Sequence, residues 1–241
     1  MRVAVYFAPA PETALWRAAS SWLGRDAARA GWQPAVLESE IGRAAAEEIL
    51  AAPRRYGFHA TLKAPFNIRD PYGFEDVIEM LRETAGQIAA FPVSLKVGTL
   101  SGFLALLPDN GEGRLSALAD AVLEAFDPFW ARLDGADFAR RAAGLNTAQM
   151  RLLERWGYPH VKDHFRFHMT LTDRLSQEEA ERVTPLAQAH FDPILATPVR
   201  IDRLALFVEA EPGADFLIHQ SLPLTGRADA PKAATTMEKA P

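Results

Sequence analysis

Arg54-Arg55-Tyr56-Gly57-Phe58-His59-Ala60-Thr61-Leu62-Lys63-Ala64-Pro65-Phe66 and, much later, Phe165-Arg166-Phe167-His168-Met169-Thr170-Leu171-Thr172 are the stretches that decide how the chain is read. Successive side chains of a strand point to opposite faces. A strand over 56–64 therefore puts Phe58, Ala60, Leu62 and Ala64 on an apolar face and His59, Thr61 and Lys63 on the other. A strand over 165–172 sets Phe165, Phe167, Met169 and Leu171 against Arg166, His168, Thr170 and Thr172. Both copies spell aromatic-His-x-Thr-Leu. Two residues along a strand span about 6.5–7 Å, so an imidazole and a hydroxyl can converge on one tetrahedral phosphate. A lone His-x-Thr is an ordinary surface pattern; its doubling is what points to function.

Outward from these stretches, the layout repeats. A strand at 2–8 and helices after Pro11 and at 40–51, the latter stopping before Pro53, precede the first copy. Helix 74–90 and strands 92–99 and 102–107 follow it, then a turn at Asp109-Asn110-Gly111 and helix 113–126. The stretch 127–157 reads as helical and irregular. After the second copy come helix 177–190 and strands 198–208 and 216–223. His59 to Val93 is 34 positions and His168 to Val199 is 31. Two copies at this spacing predict two similar lobes rather than a solenoid. Residues 1–225 are expected to form one bilobal domain, and 226–241, lacking an apolar face, a disordered tail.

Composition narrows the classes. With 241 residues, 49% hydrophobic content and a net charge of -5, the chain is a folded one. The pI of about 5.7 argues against bulk nucleic acid as the partner, because no global positive field displaces counterions. A small phosphorylated or nucleotide-like substrate held by local groups fits. No run approaches the ~20 apolar residues of a membrane helix. The Ala-x-Ala ending after Met1-Arg2 allows a signal-peptide reading, but Val3, Val5 and Phe7 alternate as in a first strand. A cytoplasmic protein with no membrane partner is expected. The absence of cysteine removes thiolate metal sites and thiol nucleophiles. Partner proteins leave no sequence signal.

Two histidines facing each other across a cleft suit phosphodiester cleavage without metal or other cofactor. One neutral imidazole takes a proton and the other, as imidazolium, gives one to the departing oxygen; near neutral pH both forms of an ordinary histidine are populated. Thr61 and Thr170 would bond the non-bridging oxygens as charge develops there. Lys63 and Arg166 share those faces by parity, and Arg55 and Tyr56 would line the rim. His160, His164 and His168 are spaced by four, which would align metal ligands on a helix, but the period of two at 165–172 places His168 on a strand.

The paired Phe-His59-Ala-Thr61-Leu and Phe-His168-Met-Thr170-Leu resemble the signature of the two-histidine (2H) phosphoesterase superfamily. The resemblance implies an α+β fold of two similar lobes, with antiparallel sheets and flanking helices about a central cleft and a pseudo-two-fold axis. It implies a phosphodiesterase acting on 2',3'-cyclic phosphates or similar small cyclic diesters. The longer run from Arg54 to Phe66, with Trp156-Gly-Tyr-Pro159, is similar to a branch encoded beside genes of phosphonate breakdown, which implies a ribosyl cyclic phosphate as substrate. Two alternatives stand beside this: an RNA-end 2',3'-cyclic or 2',5' phosphodiesterase or ligase, and a non-catalytic nucleotide- or phosphate-binding module.

Overall fold

The computed structural model describes residues 1–227, so the expected tail lies, beyond Arg227, outside the described residues. Its expected start is displaced: the Thr225 and Gly226 N–H groups still donate to Ala85 and Ile88 carbonyls, each at 3.0 Å. The chain is α+β with antiparallel sheets.

The first strand, β1 (Arg2–Phe7), is an apolar run whose residues from Val3 onward are all buried. It lies inside a four-stranded sheet ordered β2 (Ala60–Phe66), β1, β8 (Arg203–Glu209), β9 (Leu217–Pro223). A three-stranded sheet is ordered β4 (Leu95–Leu100), β5 (Phe103–Pro108), β6 (Met169–Arg174). Two short strands, β3 (Phe91–Val93) and β7 (Val199–Ile201), pair with each other. The hairpins are thus exchanged. The one following the first histidine stretch, β4–β5, joins the strand that follows the second histidine. The one following the second, β8–β9, joins the sheet of β1 and β2. Val93 and Val199, matched above by counting, lie directly opposite each other in the β3–β7 ladder.

Helices cover the sheets crosswise as well. Helix α4 (Phe74–Gln87) packs on β8 and β9, and α8 (Gln177–Leu195) packs on β4. Helix α1 (Ala14–Leu23) starts where the Thr13 hydroxyl accepts the Trp16 N–H at 3.2 Å, and it buries Leu15, Trp16, Ala19, Trp22 and Leu23. The Trp22 indole N–H donates to the Leu171 carbonyl at 3.0 Å, which ties α1 to β6. After a short turn, α2 (Glu38–Ile41), comes α3 (Arg43–Tyr56), which packs on β6. Helix α5 (Glu112–Ala125) covers β2. The irregular stretch holds α6 (Gly135–Ala142) and α7 (Thr147–Trp156).

Three expectations change. Helix α3 runs through Pro53 to Tyr56 instead of stopping short: the Ala52 N–H, ahead of the proline, donates to the Asp173 carboxylate at 2.9 Å, and helical bonding resumes beyond it, with the Gly57 N–H on the Pro53 carbonyl at 2.9 Å. The strand expected from 56 starts at Ala60, because Gly57 (φ 76°, ψ 172°) ends the helix in a conformation other residues avoid. The strand expected from 165 starts at Met169, because the 3-10 turn Lys162–His164 leads into an unpaired extended segment. Each histidine therefore sits one residue ahead of a ladder.

Candidate active site

A cavity of about 650 Å³ opens beside the start of β2 and holds His59, Thr61, Thr170, Tyr6 and Tyr56 among its lining residues. A neighbouring one of about 310 Å³ holds His168 and Arg166. Thr61, Phe103, Tyr158, His160 and Arg174 line both, so the two are compartments of one cleft with Thr61 between them.

The histidines are held alike. His59 Nδ1 meets the Gly57 carbonyl at 2.9 Å, and His168 Nδ1 meets the Arg166 carbonyl at 2.7 Å. A carbonyl only accepts, so each Nδ1 carries a proton, and in the neutral ring Nε2 then holds a lone pair aimed away from that carbonyl. At His59 that lone pair accepts the Thr61 hydroxyl, at 3.2 Å. The His59 ring stacks on Tyr6, with centroids 3.8 Å apart and planes 19° from parallel. The two are brought together because Tyr6 and Thr61 are paired across β1 and β2. Burial pushes the His59 imidazole down to about 4, against the pull of the Gly57 carbonyl; the charge of a protonated His168 pushes the same way. Burial also lowers His168, which packs near Phe103 at 5.6 Å between ring centroids.

The remaining expected residues separate. Tyr56 lines the larger compartment and Arg166 the smaller, where its guanidinium donates to the Asp163 and Phe165 carbonyls at 3.0 and 2.6 Å. Arg55 is committed elsewhere, to the buried carboxylate of Glu209 and the Gly213 and Ala214 carbonyls. Lys63 does not share the face of His59 and Thr61. The β1–β2 register slips by one residue, so Thr61 pairs with Tyr6 but Lys63 pairs with Val5. Neighbouring residues of β1 face opposite ways, and the slip turns Lys63 into a separate chamber. Thr172 is buried, its hydroxyl accepting the Leu104 N–H at 3.0 Å in the β5–β6 sheet.

Tyr6, Tyr158, His160, Phe103 and Arg174 were not singled out in the sequence as site residues. Tyr6 could have been found by parity along β1, opposite the Val3-Val5-Phe7 face. Arg174 and Phe103 owe their place to the pairing of β5 with β6, which no local pattern reveals. Among the described residues no three His, Asp or Glu side chains gather as metal ligands would, and no helix is long and apolar enough to cross a membrane.

Comparison with known proteins gives one family. Residues 61–217 match the model of a family described as a protein of unknown function, DUF1045. Two relatives are each named ribose 1,5-bisphosphate phosphokinase PhnN. The one from Laribacter hongkongensis (strain HLHK9) is 41% identical over 218 residues, 90% of this chain and 50% of the relative. The one from Janthinobacterium sp. (strain Marseille) is 38% identical over 234 residues, 95% of this chain and 52% of the relative. The chain thus spans about half the length of the curated relatives it matches. Among solved structures, TT0787 of Thermus thermophilus aligns with a TM-score of 0.47 at 16% identity, covering 95% of this chain and all of that one.

Proposed function

The chain belongs to the DUF1045 family, and from that premise and the paired histidines we propose that it is a 2H-type phosphoesterase, hydrolysing a small cyclic phosphodiester without a metal. In this reading residues 1–225 are one bilobal, pseudo-two-fold domain. One observation carries the proposal. Two histidines from distant parts of the chain sit at matching points, each ahead of a strand, each with Nδ1 on the carbonyl two residues back, and each with a threonine two residues on.

The reaction follows from those groups. His59 Nε2 takes a proton from water as its oxygen bonds to phosphorus; His168, entering as imidazolium, gives its Nε2 proton to the ester oxygen as the ring P–O bond breaks. A phosphomonoester is released, and proton exchange with solvent resets both rings. Each proton transfer supplies about 10²–10⁴ in rate. Thr61, its hydroxyl turned from His59 Nε2 to the substrate, and Thr170 bond the non-bridging oxygens. The surroundings split two roles that the near-symmetric sequence leaves open. His59, enclosed by Tyr6 and pushed down to about 4, stays neutral and serves as base; burial lowers His168 as well, but without a stacked ring, and in this reading it takes up the proton that it gives as acid.

A ribosyl cyclic phosphate in phosphonate metabolism is the substrate this reading favours. Opening such a ring leaves a ribose phosphate monoester, the class of compound named in the relatives' kinase activity. The chain has no Gly-x-x-x-x-Gly-Lys-Ser/Thr phosphate loop, and the kinase activity in those relatives' names is not carried over to it. The test is a screen of cyclic phosphodiesters with wild type and the His59→Ala/His168→Ala variant in parallel, with and without chelator. Chelator-resistant turnover that disappears in the variant is expected. Full activity in the variant, or in either single mutant, overturns the proposal.

A further inference from the structure

The chamber that takes Lys63 has a volume of about 230 Å³ and borders the cleft, sharing Arg2, Ala64, Pro65, Arg141 and Tyr158 with it. Lys63 is 3% exposed. Its ammonium lies 3.4 Å from the Trp156 carbonyl and 5.4 and 5.8 Å from the Trp130 and Phe66 ring centres. The carboxylate whose charge reaches it, Asp127, is already taken. It accepts two guanidinium N–H bonds from Arg155, at 2.8 and 2.9 Å, and the Trp130 indole N–H at 3.1 Å. A buried cation without a counter-ion is costly, and burial pushes Lys63 down to about 8.

The rest of the wall carries three guanidinium groups, of Arg2, Arg132 and Arg141, and two carboxylates, of Asp134 and Asp137. Arg141 is half-buried and anchored on the Gly157 and Pro65 carbonyls, at 2.8 and 3.4 Å. The carboxylates at the rim are committed: Asp134 accepts the Asp137 N–H at 2.7 Å as the cap of α6, and Asp137 pairs with Arg140. Arg2 is held by Glu209. Lys63 and Arg141 meet only carbonyl oxygens, and with Arg132 they outnumber the one rim carboxylate, Asp134, that no cation pairs among the described residues, in a space beside the place where the reacting phosphorus would sit.

We propose that this chamber is a second anion subsite, taking a phosphomonoester group that the substrate carries next to its cyclic diester, with Lys63 as the contact and Arg141 beside it. A phosphate monoester brings close to two negative charges and three acceptor oxygens, which suits an ammonium and a guanidinium converging on one space. The enzyme's substrate would then be a cyclic phosphodiester bearing a second phosphate about one sugar ring away. This extends the hydrolase reading and rests on it for the chemistry, but anion binding in the chamber can be measured without turnover.

The kinetic test compares a 2',3'-cyclic nucleotide with the same nucleotide phosphorylated at O5'. Wild type is expected to prefer the phosphorylated form in kcat/KM by about tenfold or more, the value of one charge-assisted hydrogen bond. Lys63→Met is expected to lower kcat/KM about tenfold more for that form than for the plain one. No preference in wild type, or equal losses on both, overturns the inference. The binding test titrates inorganic phosphate into the His59→Ala/His168→Ala variant by calorimetry. Binding that persists there and is lost on adding Lys63→Met supports the chamber; no binding, or binding indifferent to Lys63, overturns it. Phosphate binding through Lys63 with no turnover of either nucleotide would sink the hydrolase reading alone. Should Lys63→Met fail to fold, Arg141→Gln is read out in the same two ways.

Discussion

His59 and His168 look interchangeable in sequence and differ in surroundings, and the difference can be measured. A base is needed whatever group departs, whereas an acid is needed only when the departing oxygen is basic. With a p-nitrophenyl phosphodiester, His168→Ala is expected to recover most of wild-type kcat, while His59→Ala stays at least about 10²-fold down. Equal recovery by both, or by His59→Ala alone, reverses the assignment. Thr61→Val is expected to cost about 10²–10³ in kcat, the loss seen when one donor to a developing charge is removed. The depressed His59 value also has a stability consequence. The unfolded chain, with histidine near 6.5, takes up the proton before the folded one does. The contribution is complete above pH 6.5 and drains as pH falls toward 4. Denaturant midpoints between pH 7 and 4 should therefore fall less steeply for His59→Gln than for wild type.

At the scale of single elements, Gly57 joins helix α3 to the first histidine. Its backbone conformation is essentially glycine's own, and a Cβ there would lie 2.5 Å from the Ala27 Cβ. Gly57→Ala is expected to cost about 1–3 kcal/mol from backbone strain, with more from the clash, read as a lowered Tm. It should lower kcat as well, because the same residue's carbonyl fixes the His59 ring. Element scale is also where the sequence was most and least informative. Period-two patterning marked the polar face that His59 shares with Thr61, because that pair lies within one strand entry; His168 and Thr170, grouped in the same way, line different compartments of the cleft. The patterning misjudged Lys63, because a register slip is a property of two strands and one strand's pattern cannot contain it. Pro53 misled for a similar reason: the carboxylate that takes the N–H just ahead of it, Asp173, comes from β6, outside the local pattern. Tyr6 beneath His59 was visible as a side chain of β1 but not as a neighbour of β2.

Across the whole molecule, the exchanged hairpins couple everything. The strand β6, next to His168, has β5 as its ladder partner, and β5 belongs to the stretch after the first histidine. The sheet containing β2 is completed by β8 and β9 from after the second. Spacing suggested two similar stretches, but not which sheet each hairpin joins, since two similar hairpins satisfy a sheet's hydrogen bonds equally well. Thermal unfolding should accordingly be one transition, with calorimetric and van't Hoff enthalpies in agreement. Residues 1–126 and 127–227 expressed separately should each lack near-ultraviolet circular dichroism and regain it on mixing. Two resolved transitions, or a fragment that folds unaided, would contradict this.

On the proposed pseudo-two-fold reading, the same trade bears on ancestry. A half-length chain laid out this way would find its sheet one hairpin short, and a second molecule would have to lend the missing strands while borrowing in return. Joining two such genes end to end would make that loan internal and permanent. From then on the two histidines could diverge, one toward giving protons and the other toward taking them, which identical subunits could never do.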